Sequence, residues 1–90
     1  MKLITKFKKN KPIIREYAPH HILIIYDFGT ALQSYDSIVA FRGNDGIVTL
    51  GEDWNYSRTT MKYLNQWLGQ NTKETKYCLD KGIFKYDEEL

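Results

Sequence analysis

Hydrophobic and polar positions divide this 90-residue chain into an extended half and a helical half. Residues His21 to Tyr26 read His-Ile-Leu-Ile-Ile-Tyr, β-branched and apolar on both faces of a strand. Such a segment is covered on both sides and sits centrally in a sheet. Asp27-Phe28-Gly29-Thr30 supplies a turn. Ala31 to Arg42 reads as one long extended segment, bent at Tyr35-Asp36. Gly43-Asn44-Asp45-Gly46 is a strong hairpin signal, because Asn and Gly tolerate the left-handed conformations that tight turns require. Ile47 to Leu50 is the return strand. The prediction is an antiparallel meander of three strands, or four if the piece around Leu3, Ile4 and Phe7 adds an edge strand. Lys8 to Pro12 is polar and reads as a loop. Ile13, Ile14 and Tyr17 are apolar enough to dock, within a stretch limited by Pro19.

The period then changes from two to 3.6. Gly51-Glu52-Asp53 leaves the sheet, and Ser57 has the hydroxyl an N-cap needs. Met61, Leu64 and Leu68 repeat at i, i+3 and i+7, broadened by Thr60, Tyr63 and Trp67. Arg58, Lys62, Asn65 and Gln66 lie opposite. That is an amphipathic helix covering a sheet. Gly69 closes it. A second helix over Lys73–Lys81, capped by Thr72 and stopped by Gly82, has a weaker stripe. Ile83, Phe84 and Tyr86 then return toward the sheet. The fold class is α+β: a small antiparallel sheet with one or two helices on one face, in a single domain spanning 1–90.

Composition narrows the function classes. A chain this short holds one modest core and no deep cleft between lobes. The seven tyrosines exceed what such a core can absorb, so several belong at the surface, where rigid amphipathic rings favour protein contacts. Cys78 is the only cysteine, which excludes an intrachain disulfide and fits a reducing compartment. Lysines interrupt the N-terminal segment before any apolar signal-peptide core. The longest aliphatic run, Ile22-Leu23-Ile24-Ile25, falls far short of a membrane span. The expected location is the cytoplasm of the cell that makes the chain.

Charge is unevenly distributed. Residues 1–22 carry six cations (Lys2, Lys6, Lys8, Lys9, Lys11 and Arg15) against Glu16 alone, a balance of +5. The chain as a whole is +2, so the remainder is −3, closing on Asp87-Glu88-Glu89. The basic front suits phosphate contacts that are salt-dependent and blind to sequence. Its plainer reading is a strand edge protected by lysines.

Candidate chemistry is sparse. His20-His21 cannot chelate one ion together from a strand, because neighbours point to opposite faces. No third ligand stands at metal spacing. Cys78 reads as a small, partly buried hydrophobe. The carboxylates are scattered, and neither a phosphate loop nor a nucleophile elbow is present. Tyr56-Ser57-Arg58-Thr59-Thr60 places hydroxyls and an arginine at a helix start, where plain capping competes with anion binding. No metal or cofactor is expected, and no enzymatic class is favoured.

The block Ser34-Tyr35-Asp36-Ser37-Ile38-Val39-Ala40, followed by Tyr56-Ser57-Arg58-Thr59-Thr60-Met61-Lys62-Tyr63 and Trp67-Leu68, resembles a family of small uncharacterised proteins from phages and other bacterial mobile elements. Its members share S-Y-x-T/S-x-V-A, a hairpin, and Y-S-x-T-T-x-K/R-H/Y-x-x-x-F/W-L. Tyr63 stands where many members carry His, so no role of that histidine transfers. The resemblance covers little more than a third of the chain and implies origin and fold more than activity. With such an origin, the expectation is a non-enzymatic protein that binds and blocks a host defence protein. By analogy of size and class, this would be an anti-CRISPR inhibitor occluding a Cas9-type nuclease or its guide-RNA complex in the bacterial cytoplasm. Acidic surface would imitate phosphate, and tyrosines would supply the hot spots. The candidate contact residues are Lys6, Lys8, Lys9, Lys11, Arg15, Tyr56, Arg58, Lys62, Asp87, Glu88 and Glu89, with Glu52-Asp53 as further acidic surface. The alternative is a phage accessory protein that binds nucleic acid through the basic arm. A monomer and a homodimer both fit.

Overall fold

A computed structural model describes residues 11–90. Among the described residues, six strands form one sheet in sequential order: β1 (Ile13–Ala18), β2 (His21–Tyr26), β3 (Gly29–Ser34), β4 (Ser37–Gly43), β5 (Val48–Leu50) and β6 (Lys85–Tyr86). The first five make an antiparallel meander. Helices α1 (Arg58–Leu68) and α2 (Thr72–Asp80) intervene before β6 pairs parallel to β5. The α+β class is as predicted from sequence. The Leu3–Phe7 strand expectation, with Lys2, Lys6, Lys8 and Lys9, lies outside the described residues.

The sheet has more strands than the pattern predicted because two bends are full reversals and Lys85–Tyr86 adds an edge strand. Tyr35-Asp36 is a two-residue hairpin loop between the paired Ser34 and Ser37. Tyr35 takes φ 52, an unusual conformation for an aromatic residue. Its backbone N–H donates to His20 O at 2.8 Å, and its carbonyl accepts from Gln33 Nε2 at 2.8 Å. Pro19-His20 makes the other reversal. Proline's fixed φ suits the first turn position, and His20 takes φ 63 at the second. Pro19 therefore starts a new strand pair rather than ending the sheet.

Period-two alternation gives the sheet two buried faces. One cross-strand row runs Leu23, Leu32, Ala40, Leu50. It meets Leu64, Trp67 and Leu68 of α1, Leu79 of α2, Trp54 and Phe84. The next row, Ile24, Ala31 and Phe41, belongs to a second cluster on the opposite face, with Tyr26, Phe28, Ile38 and Leu90. Both clusters draw on β2, which explains its unbroken apolar run. Burial raises the Tyr26 phenol above its ordinary pKa.

Both helices have the stops their sequences announce. Ser57 Oγ accepts from Thr60 N at 3.1 Å. Gly69, at φ 74, closes α1 with its N–H on Asn65 O and Gln66 O. The cap of α2 is Asn71 rather than Thr72. Asn71 Oδ1 accepts from Glu74 N at 2.8 Å, while Glu74 Oε1 accepts from Asn71 N at 3.1 Å. Thr72 Oγ1 instead accepts from Asn65 Nδ2, tying the two helices together. Among the described residues, no helix is long and apolar enough to cross a membrane.

Candidate functional site

The β3–β4 turn and the start of α1 meet at one corner of the sheet. The corner is held by a buried run of side-chain hydrogen bonds. His21 is fully buried, with Nδ1 2.8 Å from Pro19 O and Nε2 2.9 Å from Ser34 Oγ. Ser34 Oγ lies 2.8 Å from Thr60 Oγ1, which lies 3.1 Å from Ser57 Oγ. A carbonyl only accepts, so in the neutral ring Nδ1 carries the proton and Nε2 accepts. That fixes the direction of every bond. Ser57 donates to Thr60, Thr60 to Ser34, Ser34 to His21, and His21 to Pro19. Among the described residues, no buried side-chain polar atom lacks a partner.

The contact of Ser34 Oγ with an imidazole is the contact a serine nucleophile makes with its base. Here the oxygen is held from both sides, by His21 and by Thr60, and Ser34 is 4% exposed. The arrangement works as a clamp between sheet and helix. His20 and His21 do not converge. His20 lies on the surface with its ring stacked on Tyr35 at 4.9 Å, while His21 packs against Tyr63 at 4.7 Å. Among the described residues, no three His, Cys, Asp or Glu side chains are grouped to hold a metal ion.

Above the clamp lies a hollow of about 600 Å³. The buried Ser34, Val39 and Thr60 form its floor, and exposed Tyr35, Asp36, Tyr56 and Thr59 form its rim, with half-buried Ser37, Asp53 and Ser57 between them. Val39 reaches the floor because it is the extra residue of a bulge: Leu32 pairs with Ala40 and Gln33 with Ile38. Asp53 Oδ2 accepts from Ser37 Oγ at 2.7 Å, which fixes that carboxylate against the turn.

A second hollow, about 240 Å³, shares Asp36, Ser37 and Asp53 and adds Ile38, Glu52, Glu88 and Leu90. The C-terminal segment reaches it because Asp87 N donates to Leu50 O at 2.9 Å. Leu90 then settles over Gly51, where a Cβ would lie 2.6 Å from Ile38 O and 3.4 Å from Leu90 Cβ. Four carboxylates from three separate stretches thus line two adjoining hollows. Among the described residues, no Lys or Arg lines either one.

The contact residues picked from sequence do not gather in one place. Tyr56 and Glu88 belong to this corner. Arg58 and Lys62 are exposed on α1, with Lys62 Nζ 5.3 Å from the Tyr63 ring centre. Lys11 and Arg15 are exposed at β1, the opposite end of the strand order from β6 and the acidic tail. Asp87 is half-buried, with Oδ1 accepting from the N–H of exposed Glu89. Lys6, Lys8 and Lys9 lie outside the described residues. Sequence reasoning did not select Tyr35, Asp36 and Ser37 as contacts. Their signal was the hairpin between two polar-ended strands, read there only as a bend.

The profile of a family of unknown function, DUF8033, matches residues 2–85. The chain belongs to DUF8033. The match includes the whole clamp and the larger hollow, and stops before Glu88. No curated protein and no solved structure matches this DUF8033 chain.

Proposed function

We propose that this DUF8033 protein is a non-catalytic binding module that occludes a basic groove on a host protein, with its acidic, tyrosine-rimmed corner as the contact surface. In the specific form that the phage resemblance implies, the host protein is a defence nuclease of the Cas9 type, blocked where it would hold nucleic acid. The observation that carries this reading is the convergence of Asp36, Glu52, Asp53 and Glu88 on two adjoining hollows that, among the described residues, no Lys or Arg lines. Like charges are not gathered this way for stability, since they repel one another. They do steer and select a positively charged partner. Tyr35 and Tyr56, 47% and 76% exposed, add the amphipathic rings that anchor interfaces.

The test is binding and interference together. The native chain is expected to bind the nuclease and lower its cleavage in proportion to the amount added. Asp36→Lys with Glu88→Lys, both exposed positions, is expected to weaken binding by roughly tenfold or more. Full interference in cells expressing the chain, with no capture of the nuclease, sinks the Cas9-type form. Equal binding by the charge-reversed chain sinks the role of this corner. The nucleic-acid reading rests on Lys11 and Arg15 among the described residues, both exposed at the sheet edge. Steep loss of DNA or RNA affinity with salt would favour it instead.

A further inference from the structure

We infer that the larger hollow receives an arginine side chain of the partner. This rests on the reading of the corner as a binding surface and adds the chemistry of what enters it. The hollow, about 600 Å³ and half open to solvent, has room to admit one side chain. Its composition is selective. Tyr35, one ring face of which stacks on His20, and Tyr56 stand on its rim, and Asp36 and Asp53 contribute carboxylates to its lining. A guanidinium stacks flat on an aromatic ring and presents paired donors to a carboxylate, so both features address one side chain. An ammonium is a compact, strongly hydrated point charge and uses the rings less well.

Asp53 is already positioned for this. Ser37 Oγ holds its Oδ2, so the carboxylate is fixed before a ligand arrives and keeps its other oxygen as an acceptor. Ser57 sends its hydroxyl proton inward to Thr60, so it does not add a competing donor to the hollow. The fold stacks an arginine on a ring elsewhere, with a backbone carbonyl rather than a carboxylate as the acceptor. Arg42 places its guanidinium carbon 4.5 Å from the Trp67 ring centre while Nη2 donates to Trp67 O at 3.2 Å.

Three nine-residue peptides test the proposal. They share a Gly/Ser frame and carry Arg, Lys or citrulline at the centre. The Arg peptide is expected to shift the backbone amide resonances of residues 35–37 and 53–60 in the full chain. Its affinity should exceed that of the citrulline peptide by roughly tenfold, the scale of one charge-assisted contact, with Lys between the two. Tyr56→Ala and Asp53→Asn should each weaken the Arg peptide several-fold. Tyr56 is 76% exposed, so that variant keeps the native melting temperature and reports on binding alone. Equal shifts with citrulline, or Arg-peptide shifts away from these residues, would overturn the proposal. The broader reading fails separately. If Tyr56→Ala and Asp53→Asn leave the affinity of a macromolecular partner intact while Asp36→Lys with Glu88→Lys abolishes it, the corner is the interface and the arginine inference is wrong.

Discussion

Helix α1 is held to the sheet by different physics at its two ends. Toward its C-terminus, Leu64, Trp67 and Leu68 pack against the row of Leu32, Ala40 and Leu50. Toward its N-terminus, Ser57 and Thr60 join Ser34 and His21 through hydroxyl–hydroxyl and hydroxyl–imidazole bonds. Apolar contact is strong but undirected: several rotamers and small shifts satisfy it nearly as well. A buried hydrogen-bond run has narrow distances and angles, and each member left unpaired is costly. The apolar end therefore supplies most of the attachment, and the polar end sets where the helix start sits relative to the Tyr35-Asp36 turn. The acidic hollows open at the polar end, where position matters most.

The largest effect should come from breaking the apolar end. Leu64 is fully buried, so Leu64→Ala removes buried methyls and leaves a cavity, at about 3–4 kcal/mol. Denaturant unfolding measures it. The surviving folded fraction should still bind any ligand of the corner, because the clamp remains intact. An equal loss of binding in that fraction would show that the two ends are not separable.

His21→Leu breaks the other end. It keeps bulk but removes the acceptor for Ser34, leaving a buried hydroxyl run with no terminus, at about 1–3 kcal/mol. The expected signature is the reverse of Leu64→Ala: a smaller loss of stability, with altered amide resonances from Tyr35 to Ser37 and at the start of α1. Thr60→Val follows at about 1–2 kcal/mol, since it cuts the run at its middle while nearly preserving shape. His21→Leu combined with Thr60→Val should cost less than the two losses added, because both act on one network. Additive losses would mean that the bonds act independently.

The apolar end was legible in the sequence and the polar end was not. Met61, Leu64 and Leu68 at helical spacing announce a packed face, and the both-sided apolar run of β2 announces a central strand. Ser57 announces a cap from its place before the stripe. Nothing local announces that Ser34, His21 and Thr60 meet, because they come from two strands and a helix up to 39 positions apart. Their pairing requires two reversals, and those reversals lack the Asn-Gly signature from which tight turns are read. His20 and Tyr35 take positive φ although each carries a large ring. The acidic hollows were hidden for the same reason. Asp36 sits in the misread turn, and Glu88 arrives only after the chain returns along β5.

The smallest stability effect separates structure from binding most cleanly. Tyr35 holds a left-handed conformation that costs a side-chain-bearing residue roughly 1–2 kcal/mol. Glycine adopts it freely, but loses more backbone entropy on folding, roughly 0.5–1 kcal/mol, and gives up the ring stack on His20. These terms oppose each other, so Tyr35→Gly should leave stability within about 1 kcal/mol of native. At an ordinary strand position the same change would remove packing without that relief. If the ring is there for contact, affinity for a partner of the corner should fall several-fold at nearly constant melting temperature. If the ring serves only the turn, stability should fall and affinity should hold. The two outcomes assign the tyrosine either to the interface or to the scaffold.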